Sequence, residues 1–168
     1  MAVPRSMVLG IGNVLMTDEG VGVRAAELLA ERVPKDVRVL APGSIGPTTV
    51  AELSGVRQLL VLDCVDRGFA PGSIVRLDPR SIRDIPASAS AHEFGVRDLL
   101  VLAQQAGGAP RDVLVLGVQP ERIEPGVRLS REVEAALPVL VEAALATVGE
   151  WTRGRTAPSR KAVRPAPR

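Results

Sequence analysis

The chain has 168 residues, 46% of them apolar and only 2% aromatic, which suffices for one ordinary domain with an aliphatic core. No apolar run approaches the ~20 residues needed to cross a bilayer, the N-terminal stretch lacks the basic and apolar regions of a secretory signal, and the single Cys64 excludes both an internal disulfide and a multi-cysteine metal knuckle. The net charge of +2 misleads, because residues 151–168 carry six basic residues and no acid, which leaves residues 1–150 at −4. A cytoplasmic domain over 1–150 and a disordered basic, Pro- and Arg-rich tail over 151–168 are expected, with neither a membrane nor a nucleic-acid partner and with the monomer as the working state.

In chain order, Met7–Gly12 is a short apolar run ending in glycine and predicts a buried strand. From Glu19 to Val33 the apolar residues Val23, Ala26, Leu29, Ala30 and Val33 follow helical spacing, and Pro34 stops the helix. Val37–Leu40 predicts a second strand, closed by Pro42 and Gly43, and Thr48–Leu53 a short helix ended by Gly55. Gln58–Asp63 predicts a third strand whose continuous hydrocarbon suits burial on both faces, and Gly72–Leu77 a fourth. Val96–Ala106 reads as a helix closed by two glycines, and Val113–Gly117 as the fifth strand. A long apolar stripe from Val133 to Val148 is the last helix, with a kink expected at Pro138.

Strands alternating with helices predict an α/β fold: a three-layer sandwich with a five-stranded, mostly parallel twisted sheet and helices on both faces. Only Cys64–Pro71 separate the third and fourth strands, too few residues for a helical crossover, so the fourth strand should be antiparallel and at an edge. Right-handed crossovers put the second and third strands on opposite sides of the first. The resulting switch point makes a crevice at the carboxyl ends of the first and third strands, where ligands bind in such sheets. The residues just past those ends are Asn13–Glu19 and Asp63–Gly68.

Those two loops hold the suggestive acids. Glu19 follows Asp18 at the start of a helix, where the pair equally serves as cap and dipole complement; Gly20 and Gly22 in an early helical turn instead point to a close backbone approach. Asp63 ends a strand of pure hydrocarbon at the rim of the sheet, where it either works in a site or caps the next turn. Asp66 is a second, weaker candidate, and Cys64 reads as a small buried thiol rather than a nucleophile. His92, the only histidine, lies in a segment where Ser90 and Glu93 have capping-box spacing, which would place it in a first helical turn and help keep it neutral. Two carboxylates and one imidazole suit a divalent transition metal with open positions. Gly10 and Gly12 after the first strand form two-thirds of a dinucleotide fingerprint, but Leu15 stands where the third glycine belongs and no acid closes the second strand, so no nucleotide is expected.

The stretch Val8–Leu29, VLGIGNVLMTDEGVGVRAAELL, resembles the opening signature of the nickel-iron hydrogenase maturation endopeptidases, G-x-G-N-x-L-x-x-D-[ED]-G-x-G. The resemblance continues through LLVLDCV, PGSIVRLDP, SAHEFGVRDLL and VLVLGVQPERIEPGVRLSREVEAALP, over about residues 6–148. It implies an endopeptidase that removes the C-terminal extension of a hydrogenase large-subunit precursor once nickel has been inserted. It also implies that Glu19, Asp63 and His92 are both the catalytic and the metal-binding set, with nickel supplied by the substrate's own metal centre. Where many members have an acid and two glycines after the second strand, this chain has Ala41-Pro42-Gly43-Ser44-Ile45-Gly46, and Gly43, Ser44 and Gly46 are expected to face the substrate. A resident-zinc peptidase or amidohydrolase on the same fold, and a non-cleaving nickel-dependent escort of the large subunit, are the alternatives the residues leave open.

Overall fold

The computed structural model describes residues 5–78 and 95–153. Five strands form one sheet: β1 (Ser6–Ile11), β2 (Val37–Gly43), β3 (Gln58–Cys64), β4 (Ile74–Leu77) and β5 (Asp112–Val118), in the order β2-β1-β3-β5-β4. β1 pairs in parallel with β2 and β3, and β3 with β5, whereas β4 is antiparallel to β5 at the edge. The short link between β3 and β4, residues 65–73, thus has the consequence foreseen for it, and the order reverses between β1 and β3 as the crossovers require.

Among the described residues four α-helices cover the sheet: α1 (Val21–Ala30), α2 (Pro47–Glu52), α3 (Val96–Gln105) and α4 (Arg131–Thr152). On one face Val8, Leu60, Leu62, Leu114 and Leu116 pack with Ala26 and Leu29 of α1 and with Leu140, Val141 and Ala144 of α4. On the other, Met7, Leu9, Leu59, Val61 and Val115 pack with Leu99 and Ala103 of α3 and with Leu53 just past α2. The strictly alternating assignment of strand residues to two cores explains why β1 and β3 are apolar throughout: both faces are buried. The three-layer sandwich expected from the sequence is present.

Several boundaries differ from the sequence reading, each for a physical reason. The first helix does not begin at Glu19: a 3-10 turn over Thr17–Gly20 precedes α1. β2 runs on through Pro42 to Gly43, which an edge strand tolerates because its outer N–H groups have no ladder partner to lose. α3 opens at Val96 with Gly95 as its cap, the Asp98 carboxylate accepting from the Gly95 N–H at 3.1 Å. The capping box read at Ser90 and Glu93, and His92 with it, lies outside the described residues. α4 passes through Pro138 as one helix and extends to Thr152, so Trp151, only 5% exposed, belongs to the core and not to the tail. Among the described residues no helix is long and apolar enough to cross a membrane.

α1 meets the sheet through glycine. A β-carbon at Gly22 would stand 2.3 Å from the Leu62 carbonyl oxygen and 2.4 Å from that of Ile11, and one at Gly10 would stand 2.5 Å from the Gly22 carbonyl oxygen. These obstacles are backbone and cannot rotate away. Gly22→Ala is accordingly expected to destabilise the protein by about 3 kcal/mol, the upper range for overpacking. Urea denaturation of the variant checks it, and stability equal to wild type would show that the helix can lift off the sheet at little cost.

Candidate active site

The two acids singled out in the sequence converge at the switch point. Asp63 is the penultimate residue of β3, and Glu19 sits in the 3-10 turn that feeds α1. The same glycine contacts that seat α1 on β1 and β3 carry this turn to the end of β3. Gly12, at φ +135°, completes the approach: a β-carbon there would lie 1.9 Å from the Glu19 carbonyl oxygen. A residue with a side chain would both resist that φ and collide with the turn.

Both acids are buried, Glu19 to 5% exposure and Asp63 to 9%. Burial lifts Asp63 from the ordinary carboxylate value to about 8; the N–H of Cys64, donating to Asp63 Oδ1 at 2.7 Å, opposes the rise, and the charge of Glu19 adds to it. The pair is thus close enough to interact electrostatically, in surroundings that disfavour two negative charges. Cys64 is half-buried, and burial together with Asp63, Asp18, Glu19 and Asp66 pushes its thiol well above the usual range. A thiol held neutral in this way is no nucleophile, as the sequence suggested.

Asp18 does not cap α1. It is fully buried, and its carboxylate reaches across to the segment between β5 and α4: Oδ2 accepts from the N–H groups of Glu121 at 2.9 Å and Arg122 at 3.1 Å, and Oδ1 from that of Ser130 at 2.6 Å. Thr17 reinforces the junction, its hydroxyl donating to the Arg122 carbonyl and accepting from the Glu124 N–H. On the other side of the site Gln119, also buried, holds the loop that follows Asp63. Its Oε1 accepts from the Arg67 and Phe69 N–H groups at 2.7 and 3.1 Å, and its Nε2 donates to Asp66 Oδ1 at 2.8 Å, which holds the Asp66 carboxyl below its usual value. Asp66 is therefore a loop anchor. Sequence reasoning missed Gln119 because a lone amide has no spacing signature; its place directly after the last parallel strand, where the ligand crevice opens, was the available signal.

Gly43 ends β2 at φ +76°, and its carbonyl accepts from the Gly12 N–H at 2.8 Å, so the turn through exposed Ser44 to Gly46 stands beside the root of the Glu19 loop. His92 lies outside the described residues. Among those described, no three His, Cys, Asp or Glu side chains are gathered to hold a metal ion; the site as described holds two carboxylates.

Residues 23–147 match the hydrogenase maturation protease family. The chain is 41% identical over 167 residues to the hydrogenase expression/formation protein HoxM of Azotobacter vinelandii, an alignment covering 95% of this chain and 79% of that one. It is 33% identical over 153 residues to the hydrogenase 2 maturation protease of Escherichia coli K12, covering 87% of this chain and 92% of that one. Among solved structures, the hydrogenase maturating endopeptidase HybD from Escherichia coli superposes with a TM-score of 0.80 at 32% identity, over 88% of this chain and 93% of that one.

The elevated Asp63 has a consequence for stability. An acid whose folded value lies near 8 and whose unfolded value lies near 3.8 keeps its proton in the native state over that whole window. Folding then binds a proton, so this group's contribution to stability is complete below about pH 4 and is lost progressively as the pH rises to about 8. Asp63→Asn, which keeps the acceptor for Cys64 and has no proton to lose, is expected to gain stability over wild type between pH 5 and pH 8. Chelator-treated urea melts at the two pH values test this, and parallel pH profiles would contradict it.

Proposed function

The chain belongs to the hydrogenase maturation protease family, and from that premise we propose that it is the endopeptidase that removes the C-terminal extension from a nickel-iron hydrogenase large-subunit precursor after nickel insertion. The observation that carries this reading is the convergence of Glu19 and Asp63, both buried, at the switch-point crevice, with Asp63 raised to about 8. His92 is assigned as the third member of the set. One imidazole and two carboxylates are a donor set suited to a divalent transition metal with open positions.

Peptide hydrolysis requires a proton to leave the attacking water and a proton to reach the departing amine. A carboxyl group that titrates near neutrality does both, taking the proton as base and returning it as acid. Asp63 is assigned that role, with Glu19 and His92 orienting the metal end of the substrate. The nickel in this scheme is part of the substrate's metal centre and, when seated, supplies polarisation of the scissile carbonyl. Asp63 gives up its proton when a divalent cation is seated beside it, since the cation offsets the cost of its buried charge. An unloaded precursor offers no such cation, and the site then stays in its protonated form; this is how nickel insertion becomes a condition for cutting. Gly43, Ser44 and Gly46 are assigned to the substrate-facing turn, and the protein is taken to act as a cytoplasmic monomer.

Incubating the protein with its cognate precursor, with and without nickel, and weighing the products tests the reading. A shortened large subunit is expected only with nickel, and Glu19→Ala, Asp63→Ala and His92→Ala are each expected to lower cleavage by about 100-fold or more while folding normally. A stable complex without a shortened product would identify an escort instead, and a metal retained stoichiometrically through purification would favour the resident-zinc hydrolase. Cleavage by His92→Ala at the wild-type rate would remove His92 from the site.

A further inference from the structure

The segment from Gln119 to Ser130 touches both halves of the site. Through Asp18 and Thr17 it is bound to the turn that carries Glu19, and through Gln119 to the loop that follows Asp63. The backbone adds to both junctions. The Thr17 N–H donates to the Gly126 carbonyl at 2.8 Å and the Gly126 N–H to that of Leu15 at 2.8 Å, while the Gly72 N–H donates to the Gln119 carbonyl at 2.9 Å. Asp18 and Gln119 are both 5% exposed or less, and every hydrogen bond described for the Asp18 carboxylate comes from this one segment. If the acid's purpose were only to start a helix, its partners would lie in α1; they lie more than 100 residues away instead.

We propose that Asp18 and Gln119 are positioning residues, which use the segment between β5 and α4 as a common brace to set the separation and orientation of Glu19 and Asp63. This rests on the reading of that pair as the reacting site. Glu19 is then held from two directions, by Gly12 beneath its carbonyl and by the brace attached to its neighbour. Asp63 is held by the sheet and by a following loop that Gln119 keeps from drifting. A misplacement of about 1 Å in such a constellation lowers a rate by as much as 100-fold.

The test uses the full chain and the nickel-loaded precursor, at a temperature well below each variant's melting point. Asp18→Asn retains only one acceptor oxygen and so gives up one side of the junction; Thr17→Val removes the hydroxyl bonds while keeping the side-chain shape; Gln119→Met keeps length and loses the three bonds to the loop after Asp63. Each is expected to lower kcat about tenfold or more with KM changed less than about threefold, and Thr17→Ser is expected to restore most of the rate. Folded variants with wild-type kcat would overturn the proposal, and so would a rise in KM alone, which would mark the segment as a substrate contact. Should Asp18→Asn not fold, Thr17→Val and Gln119→Met decide by the same criteria. If the wild type itself leaves the precursor uncut, it is the cleavage reading that fails. Positioning is then judged by calorimetric titration with Ni²⁺: affinity reduced about tenfold in the variants supports it, and unchanged affinity overturns it.

Discussion

The structure depends on how closely one helix backbone lies against two strand ends. Gly22 of α1 rests on the carbonyl oxygens of Ile11 and Leu62, and Gly10 of β1 on the carbonyl of Gly22, leaving no room for a β-carbon at either place. Glycine near the start of a helix costs on the order of 1 kcal/mol against alanine. Here it offsets that cost by letting α1 settle onto β1 and β3 where the strand order reverses. The 3-10 turn ahead of α1 is carried with it, and so Glu19 arrives beside Asp63. Without this contact two acids more than 40 residues apart would sit on separate loops.

Bringing acids together in an apolar setting is unfavourable, and the fold meets the difficulty in two ways. Asp18 keeps a fully buried carboxylate by saturating it with three backbone N–H groups, the kind of charge-assisted bonding that burial requires. Asp63 has the Cys64 N–H but lies under both desolvation and the Glu19 charge, and it holds its proton up to about pH 8. The first arrangement is structural, and the second is the one proposed to react. A carboxyl group with a proton that a cation can displace links metal arrival to a change in acid–base state at the same atom.

Much of the fold was legible because the signals are local and redundant. The doubly buried strands show as unbroken hydrocarbon, and the short link Cys64–Pro71 forces the antiparallel edge. What was misread was decided by tertiary partners. Asp18 has the sequence signature of an N-cap, yet its acceptors are taken by Glu121, Arg122 and Ser130. Pro42 has the signature of a strand terminator, yet an edge position lets β2 continue to Gly43. Trp151 stands beside a run of arginines and was grouped with them, although one more turn of α4 buries it. Of the site, Glu19 and Asp63 were visible from the topology, since residues past the ends of β1 and β3 must meet at the switch point. Gln119 was not, because a single buried amide acquires meaning only from the loop that folds over it.

Burial at the end of β3, with the charge of Glu19 adding to it, holds Asp63 far above an ordinary carboxylate. Carbon-13 NMR titration of the Asp63 side-chain carboxyl, in metal-free wild type and in Glu19→Gln, measures this directly. A midpoint near pH 8 is expected in wild type and a lower one in Glu19→Gln, where the neighbouring charge is gone. A wild-type midpoint in the usual carboxylate range, unmoved by Glu19→Gln, would contradict it.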